Sequence, residues 1–355
     1  MSGSRARAVL ATGALCSVVL VGCGSSTPSS SSPTSSTAPS ATVGAPSSAT
    51  SSTASGNLDV MVGPQQLPGT LRLPSGQAKP VAVLLLPGSG PSDRDETIGA
   101  AGNRPLRDIA DGLAAQGIAS LRFDKRTKAA PTSFTKTSTI ADEYLDDAAA
   151  AIKMLGERPE TSKDKVFVVG HSQGGMLMPT ILKANPTVAG GVSLAGSPRS
   201  LFDIMYDQNV ALLAQSTMTE ADKKATLTQV RSIMDQAKAV RKPTDTVPAQ
   251  LASSMPAAYV ASLNALTPVA DAKGLSVPML FLQGEKDVQV SPTADFGAWQ
   301  KGLAGRAKTE FKTYPGLNHL FMKSSGKPAP ADYDAANTVD PTVIADLAAW
   351  LVKEQ

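Results

Sequence analysis

The sequence from residue 57 onward predicts an α/β fold, in which helices cover both faces of a mostly parallel central sheet. Five mostly apolar runs have the composition of strands that are buried on both faces, and they are residues 81–86, 118–123, 166–169, 188–195 and 277–282. Between most of these runs, apolar residues recur at the three- and four-residue spacing of a helix. Strands that alternate with helices pair in parallel, so the pattern predicts one large domain of about 300 residues.

The other elements of this domain can be placed in chain order. They are antiparallel leading strands at 58–62 and 71–73, helices at 105–117, 140–155 and 175–182, a helix at 293–303, a last strand at 309–314 and a closing helix at 343–351. A turn near Pro68 and Gly69 is expected to join the leading strands, because both residue types favour turns. Pro105 suits the first turn of its helix, and Gly117 can close that helix.

The alternation of strands and helices stops between residues 200 and 266. Two helical patterns lie in this stretch, at 201–215 and 219–240, and Thr219 and Asp222 are spaced like an N-cap residue and its partner at the third helical position. We interpret residues 200–266 as a helical lid inserted in the domain. The lid contains four methionines, which could either line an apolar acyl site or pack the lid against the body; they are Met205, Met218, Met234 and Met255.

Residues 1–22 have the features of an export signal. Two arginines precede a mostly apolar stretch at 8–21, which is shorter than a typical membrane-spanning helix. The stretch ends in Leu20-Val21-Gly22-Cys23, which resembles a bacterial lipobox. That resemblance implies cleavage directly before Cys23, diacylation of its thiol and anchoring of the exported protein to the cell membrane. An ordinary secretory signal with a chance cysteine is the alternative.

The residues that follow the signal are too polar and too simple in composition to form a core. Residues 24–56 consist almost entirely of Ser, Thr, Pro, Ala and Gly. Such a segment buries too little apolar surface to become ordered. We therefore expect residues 23–56 to form a lipidated, disordered tether that separates the domain at 57–355 from the membrane.

The composition of the mature chain excludes several classes of protein. Of the two cysteines, Cys16 and Cys23, the first leaves with the signal, so the domain has no disulfide, no thiolate metal site and no cysteine nucleophile. The formal net charge of +3 falls to about +1 once Arg5 and Arg7 are removed, which argues against nucleic acid as a partner. With two histidines few metal ligands remain, so neither a metal nor another cofactor is expected.

The segment around Ser172 carries the main indication of catalysis. The apolar run at 166–169 is followed by Gly170-His171-Ser172-Gln173-Gly174, a G-x-S-x-G match, and then by a helical pattern. A sharp turn between a strand and a helix exposes a serine hydroxyl at the edge of the sheet. The flanking glycines have no Cβ to clash where the chain folds back. Ser172 is therefore the predicted nucleophile, and a glycine-rich turn without a catalytic role is the alternative.

A serine nucleophile needs a base, and histidine suits this role because its pKa lies near neutrality. His171 is adjacent to Ser172, where a side chain normally points away from the nucleophile, so His319 remains as the predicted base. The third member should orient the imidazole and stabilise its charged form. Asp287, which closely follows a buried strand, is the predicted third member, and Glu285 is the alternative.

The oxyanion formed during acyl transfer needs fixed N–H donors. One is expected to be the backbone N–H of Gln173, directly after the nucleophile. The other is expected from the turn that follows the strand at 81–86, with Ser89 as the first candidate and Gly88 as the second. A tight glycine turn without a ligand role is the alternative for this segment.

Together these segments resemble the motif set of bacterial α/β-hydrolases, and they are most similar to the esterase and serine-aminopeptidase-like branch. The segments that carry the resemblance are 170–174, 87–91 with 93–95, 124–126, 284–287 and 316–319. The resemblance covers nearly the whole domain, weakens in the lid and implies an α/β-hydrolase fold. One departure is Pro87, because many relatives have histidine there; the change removes a side-chain brace and leaves the backbone donors in place. Asp93 and Arg94 are expected to order the oxyanion turn rather than to contact substrate.

The leading hypothesis is a carboxyl-ester hydrolase that acts on small acyl esters through an acyl-enzyme on Ser172. The same three side chains would serve an aminopeptidase, a thioesterase or an acyltransferase. An aminopeptidase would need acidic groups in the lid to bind the α-amine of its substrate, and the available ones are Asp203, Asp207, Glu220 and Asp222. A binding lipoprotein that keeps the fold without activity is the remaining alternative.

Overall fold

A computed structural model describes residues 56–327 and 329–355, which contain an eight-stranded sheet with helices on both faces. The strands are β1 (Gly56–Val62), β2 (Leu67–Leu73), β3 (Ala82–Leu86), β4 (Ala119–Phe123), β5 (Val166–His171), β6 (Gly190–Leu194), β7 (Met279–Gly284) and β8 (Thr309–Tyr314). Each of the five predicted apolar runs overlaps one of them, and the predicted α/β class is confirmed. The predicted signal peptide, Cys23 and the tether up to residue 55 lie outside the described residues.

The strand order across the sheet is β1-β2-β4-β3-β5-β6-β7-β8. β2 pairs antiparallel with both β1 and β4, and the other neighbours pair in parallel. Alternate residues of β3 enter different cores: Leu84 and Leu86 belong to the core on one face, whereas Val83 and Leu85 belong to the core on the other. Because both faces are covered, the strand is apolar at every position rather than at alternate positions.

Each predicted helix overlaps an observed one, but those predicted at 140–155 and 293–303 begin as π-helices, at Ala141–Leu145 and Pro292–Phe296, and become α-helical only after them. The α-helices of the described part are α1 (Pro105–Ala115), α2 (Arg126–Ala129), α3 (Asp146–Glu157), α4 (Gln173–Ala184), α5 (Leu201–Ala214), α6 (Glu220–Ala239), α7 (Ala249–Ala252), α8 (Ala257–Asn264), α9 (Pro268–Gly274), α10 (Gly297–Gly302) and α11 (Pro341–Lys353). Within the residues that the structure describes, none of these helices is both long and apolar enough to span a membrane.

The turn predicted near Pro68 and Gly69 is wrong. Both residues lie inside β2, where Pro68 pairs with Met61 and Gly69 pairs with Val60. Glycine is needed at position 69 because β2 and β4 pack closely there: a Cβ would lie 2.9 Å from the carbonyl oxygen of Arg122 on β4. The chain turns instead between residues 63 and 66.

The insertion between β6 and β7 consists of helices α5 to α9, and residues 200–266 contain the first four of them. The hydroxyl of Thr219 accepts a hydrogen bond from the backbone N–H of Asp222 at the start of α6, as the sequence spacing predicted. Met205 and Met234 are fully buried in the core, and Met218 is partly exposed. Met255 packs against the same core, so three of the four methionines serve packing, and none of the four lines the cavity described below.

Candidate active site

Ser172 lies between β5 and α4 in a strained backbone conformation. Its φ of 53° and ψ of −114° fall in a region that side-chain-bearing residues rarely occupy, and such strain is concentrated at functional sites. The turn is held by the N–H of Ser172, which donates to the Leu194 carbonyl at 2.8 Å. A Cβ on Gly170 would lie 2.2 Å from the carbonyl oxygen of Gly174. The fold-back at the elbow therefore requires glycine at position 170.

His319 and Asp287 follow β8 and β7, and they meet as a buried pair. Nδ1 of His319 lies 2.7 Å from Oδ2 of Asp287, and both side chains are at most 5% exposed. A carboxylate can only accept, so the proton of the imidazole lies on Nδ1. The ring of His319 also lies beside that of His171, with 4.7 Å between the centroids, which brings it to the elbow that carries Ser172.

Asp287 is fixed by groups other than the imidazole. Its Oδ1 accepts the backbone N–H groups of Gln289 and Val290 at 2.8 and 2.9 Å, and its Oδ2 accepts the side-chain amide of Gln283 at 2.8 Å. Glu285 instead accepts from Thr313 on the exposed surface at 2.7 Å. The geometry therefore assigns the carboxylate partner of His319 to Asp287 rather than to Glu285.

The turn after β3 packs directly against the predicted nucleophile. A Cβ on Gly88 would lie 3.0 Å from the Cβ of Ser172. The N–H of Gly88 donates to Oε1 of Glu96 at 2.6 Å, so it is already committed to a carboxylate. Ser89, the next residue, lines the same cavity as Ser172 and Gln173. Gln173 is the first residue of α4, where the N–H groups have no partner within the helix.

The cavity at the elbow is narrow and carries no charge on its walls. It has a volume of about 20 Å³, which is enough for roughly one water molecule. Its walls combine neutral polar and apolar side chains: Ser89, Ser172, Gln173, Met176, Ser197, Leu201, Ile204, Gln208, Gln289 and Val290. Helix α5 supplies three of them, so the insertion forms one wall of the cavity.

The four acidic residues of the insertion that could bind an amine lie away from this cavity. Asp203 pairs with Lys238 at 2.7 Å, and Asp207 pairs with Arg199 at 2.8 Å. Glu220 pairs with Lys223 at 2.9 Å, and Asp222 bonds to the hydroxyl of its capping residue. Their charges are thus engaged within the protein.

A buried polar network lies behind the oxyanion turn, and sequence reasoning did not identify it. Lys125, only 2% exposed, pairs with Glu143 at 2.8 Å and donates to the hydroxyl of Tyr144 at 2.8 Å. That hydroxyl donates to the Gly88 carbonyl at 2.5 Å, so the turn is held on its carbonyl side as well. The segment 124–126 was part of the motif resemblance, but a lysine after a strand gave no indication of its partners.

Tyr259 of α8 extends this network into the insertion. Its hydroxyl donates to Glu143 and accepts from the side-chain amide of Gln173 at 3.1 Å. Gln173 is the residue directly after the predicted nucleophile. The insertion is therefore connected to the elbow by hydrogen bonds as well as by apolar packing.

Asp93 and Arg94 were expected to order the oxyanion turn, but the hydrogen bonds of their side chains lie within the segment that follows it and with β2 and the end of β4. Arg94 forms a two-point ion pair with Asp124, with distances of 2.9 and 3.0 Å. Oδ1 of Asp93 accepts the backbone N–H groups of Asp95 and Thr97. Neither side chain lines the cavity.

Comparison with known proteins identifies the family. A family model described as serine aminopeptidase, S33, matches residues 104–325, which is more than half of the chain. The chain belongs to this family. Esterase EstD of Thermotoga maritima is 38% identical over 291 residues, and the match covers 81% of this chain and 66% of EstD. The chain thus spans just under two thirds of the length of this curated relative.

Solved structures that have low sequence identity to this chain share its fold. Est1E from Butyrivibrio proteoclasticus superposes with a TM-score of 0.52 at 14% identity, over 84% of this chain and 99% of Est1E. A puromycin-hydrolysing peptidase of Mycobacterium tuberculosis superposes with a TM-score of 0.52 at 15% identity, over 86% of this chain and 40% of the peptidase. At such identities the likeness establishes the fold alone, which is the α/β-hydrolase fold.

Proposed function

We propose that the protein is a carboxyl-ester hydrolase that forms an acyl-enzyme on Ser172. The observations that carry this proposal are the buried pair of His319 and Asp287, the strained elbow at Ser172, and the 4.7 Å between the ring centroids of His319 and His171, the neighbour of that serine. Because Nδ1–H of His319 donates a hydrogen bond to Asp287, Nε2 is left unprotonated and can take the proton from the serine Oγ as it attacks the ester carbonyl. His319 then gives that proton to the departing alcohol. A water molecule, deprotonated by His319, next attacks the acyl-enzyme, and the acid is released as the proton returns to the serine Oγ.

The proposed oxyanion donors are the backbone N–H groups of Gln173 and Ser89. Gln173 begins α4, so its N–H also carries the partial positive charge of a helix N-terminus. Gly88, the other candidate, already donates its N–H to Glu96. Ser89 is therefore the second donor in the proposed mechanism.

The lining of the cavity supports a neutral ester over a peptide with a free N-terminus. An α-ammonium group that is bound away from water needs an anionic partner. Carboxylates are missing from the described walls of the cavity; Asp203, Asp207 and Glu220 pair with Lys or Arg, and Asp222 bonds to the hydroxyl of its capping residue. Because the cavity in this conformation is close to the size of one water molecule, a short acyl group should displace its walls less than a long one.

A graded substrate panel tests this proposal. We expect p-nitrophenyl acetate and butyrate to be hydrolysed faster than the octanoate and much faster than aminoacyl p-nitroanilides. Ser172→Ala should abolish turnover with the urea midpoint preserved, whereas Ser254→Ala, in the insertion, should behave like the wild type. Faster cleavage of the anilides would favour the aminopeptidase instead. Failure of a fluorophosphonate probe to label Ser172 would favour the inert binding protein.

We also propose that the chain is exported and anchored to the cell membrane through a diacylated Cys23. The support is the lipobox-like sequence at 20–23 and the Ser/Thr/Pro-rich segment after it. In a bacterial host, Cys23→Ser should move the protein from the membrane fraction to the soluble fraction. Unchanged fractionation of this variant would contradict the anchor.

A further inference from the structure

His171, which sequence reasoning set aside as a neighbour of the nucleophile, is buried between two hydrogen-bond acceptors. Its Nδ1 lies 2.9 Å from Oε1 of Glu96, and its Nε2 lies 2.9 Å from the backbone carbonyl oxygen of His319. The side chain is 4% exposed. Oε1 of Glu96 also accepts the N–H of Gly88 at 2.6 Å. One carboxylate oxygen and one imidazole therefore connect the oxyanion turn, the elbow and the loop that carries His319.

The two acceptors determine which protons the ring needs. A backbone carbonyl can only accept, so Nε2 must carry a proton. The atom Nδ1 faces a carboxyl group, and the proton of that hydrogen bond could belong either to the imidazole or to Glu96. The ordinary pKa of histidine exceeds that of glutamate by about two units, which favours the imidazole. The N–H of Gly88 further stabilises negative charge on Oε1.

The surroundings of the pair agree with an ionic state. Burial alone would lower the pKa of His171, but the Glu96 carboxylate, the carbonyl of His319 and the charge of Asp287 raise it above its ordinary value. Oε2 of Glu96 is buried without a hydrogen-bond partner among the described residues. A buried carboxylate of this kind is costly unless a cation lies beside it, and His171 is placed to be that cation.

We propose that His171 is a doubly protonated imidazolium that forms a buried ion pair with Glu96, and that this pair positions the oxyanion turn and the His319 main chain relative to Ser172. Both are positioning residues, because they act through Gly88 and the backbone of His319 rather than on substrate. The catalytic part of the proposal rests on the proposed esterase function, whereas the protonation state does not. The backbone of Glu96 supports a fixed role, since its φ of 57° is unusual for this residue type.

Nuclear magnetic resonance of protein labelled with ¹⁵N-histidine tests the protonation state. The chain has two histidines, so His171→Gln and His319→Gln variants assign every imidazole signal. We expect both ring nitrogens of His171 to carry protons in the wild type at about pH 7, above the ordinary pKa of histidine. A neutral ring with one N–H at this pH would overturn the proposal. The measurement needs no substrate, so it remains decisive even if the proposed esterase activity is absent.

Glu96→Gln tests the positioning role, because it keeps the shape of the side chain and removes the charge. We expect kcat for p-nitrophenyl acetate to fall roughly 10- to 100-fold with little change in KM, since oxyanion stabilisation acts in the transition state. His171 should lose its second ring proton in the same variant. Glu285→Gln, an exposed change near Asp287, is the matched control and should leave kcat and KM unchanged.

Two outcomes of this experiment would overturn the positioning role. One is an unchanged kcat in folded Glu96→Gln, and the other is a loss that appears in KM alone. If Glu96→Gln fails to fold, the wild-type spectrum still decides the protonation state, and Glu96→Asp provides the second kinetic test. That variant retains the charge but shortens the reach to Gly88, so we expect kcat to fall while His171 stays doubly protonated; unchanged kcat there would equally overturn the role.

Discussion

Ser172 illustrates how a single residue depends on its neighbours for an unfavourable conformation. A positive φ costs on the order of 1–3 kcal/mol at a residue other than glycine, and it persists because the chain around it is tightly constrained. A Cβ on Gly170 would lie 2.2 Å from the carbonyl oxygen of Gly174, and a Cβ on Gly174 would lie 2.8 Å from the carbonyl oxygen of Pro87, so neither position has room for a methyl group. Close packing at Gly170 and Gly174 therefore holds the predicted nucleophile in its unfavourable conformation.

We predict that Gly170→Ala destabilises the protein by about 3 kcal/mol or more. The new Cβ would lie 2.2 Å from the carbonyl oxygen of Gly174, and backbone atoms cannot move aside as a flexible side chain can. Gly297→Ala is the control, because nothing lies within 4 Å of that position and it begins α10. The urea midpoints of the two variants should differ clearly, and equal midpoints would contradict the steric argument.

The His171–Glu96 pair predicts a pH dependence of stability. The pKa of His171 is raised in the folded protein, so the contribution of the pair is fully present below the unfolded pKa of about 6.5. This contribution to stability is lost as the pH rises through the higher pKa that His171 has in the folded protein. The groups that face His171 are the Glu96 carboxylate, the His319 carbonyl, the His319 imidazole with 4.7 Å between the ring centroids, and the charge of Asp287.

The contribution of the ion pair is measured by comparing the wild type with the double variant Glu96→Gln/His171→Gln. The double variant removes both charges, so neither is left buried without its partner. The difference in unfolding free energy, measured by urea titration at a series of pH values, should shrink above neutrality. A difference that instead grows with pH would contradict the assigned direction.

At the scale of elements, helix α5 determines how much space the candidate site has. Leu201, Ile204 and Gln208 follow one face of this helix and form a wall of the cavity. The same helix packs against α6, so its position depends on the rest of the insertion. The insertion is thus placed to set substrate size, which is the usual role of a loop or helix at the edge of an α/β sheet.

We predict that Ile204→Ala shifts the substrate preference toward longer acyl chains. Removing the side chain enlarges the cavity, and the ratio of kcat/KM for p-nitrophenyl octanoate to that for the acetate should rise roughly tenfold. Val210→Ala lies on the same helix but is 37% exposed, so it should leave the ratio unchanged. If the ratio of kcat/KM values were the same in both variants, the acyl group would bind away from Ile204.

At the scale of the whole molecule, the parallel sheet brings distant segments together. Ser89, Ser172, Asp287 and His319 follow β3, β5, β7 and β8, whose carboxyl ends lie at one edge of the sheet. Ligands bind at this edge in open α/β sheets. The network of Lys125, Glu143 and Tyr259 then ties the insertion to the same edge.

We predict that Tyr259→Phe weakens this connection. The change leaves Glu143 without the hydroxyl donor and Gln173 without its acceptor, which should lower the free energy of unfolding by about 1–3 kcal/mol. We also expect a lower kcat, because Gln173 supplies a proposed oxyanion donor. Tyr206→Phe in α5 keeps the ring that packs under Arg231 and serves as the control. Wild-type stability and kcat in Tyr259→Phe would contradict the connection.

Much of the fold and part of the candidate site could be predicted from local patterns. Buried strands, helical stripes and the G-x-S-x-G turn are encoded by neighbouring residues, and His319 was found by elimination because the chain has two histidines. Asp287 was predicted from its place after a strand, and in the structure it forms a hydrogen bond with His319. Pro68 and Gly69 were misplaced, because a close approach between strands is not a local property.

The sequence by itself determined the order of the predicted strands and helices and the serine elbow, because each depends on residues that are close along the chain, and it determined the candidate base because the chain has two histidines. Only the tertiary structure decided three contacts. The N–H of Gly88 donates to Glu96, His171 lies between two acceptors, and the hydroxyl of Tyr259 accepts a hydrogen bond from Gln173. The physical reason is that a buried polar group must find its hydrogen-bond partner in space. The partner of His171 on the loop of His319 lies 148 positions away along the chain, where no sequence spacing identifies it.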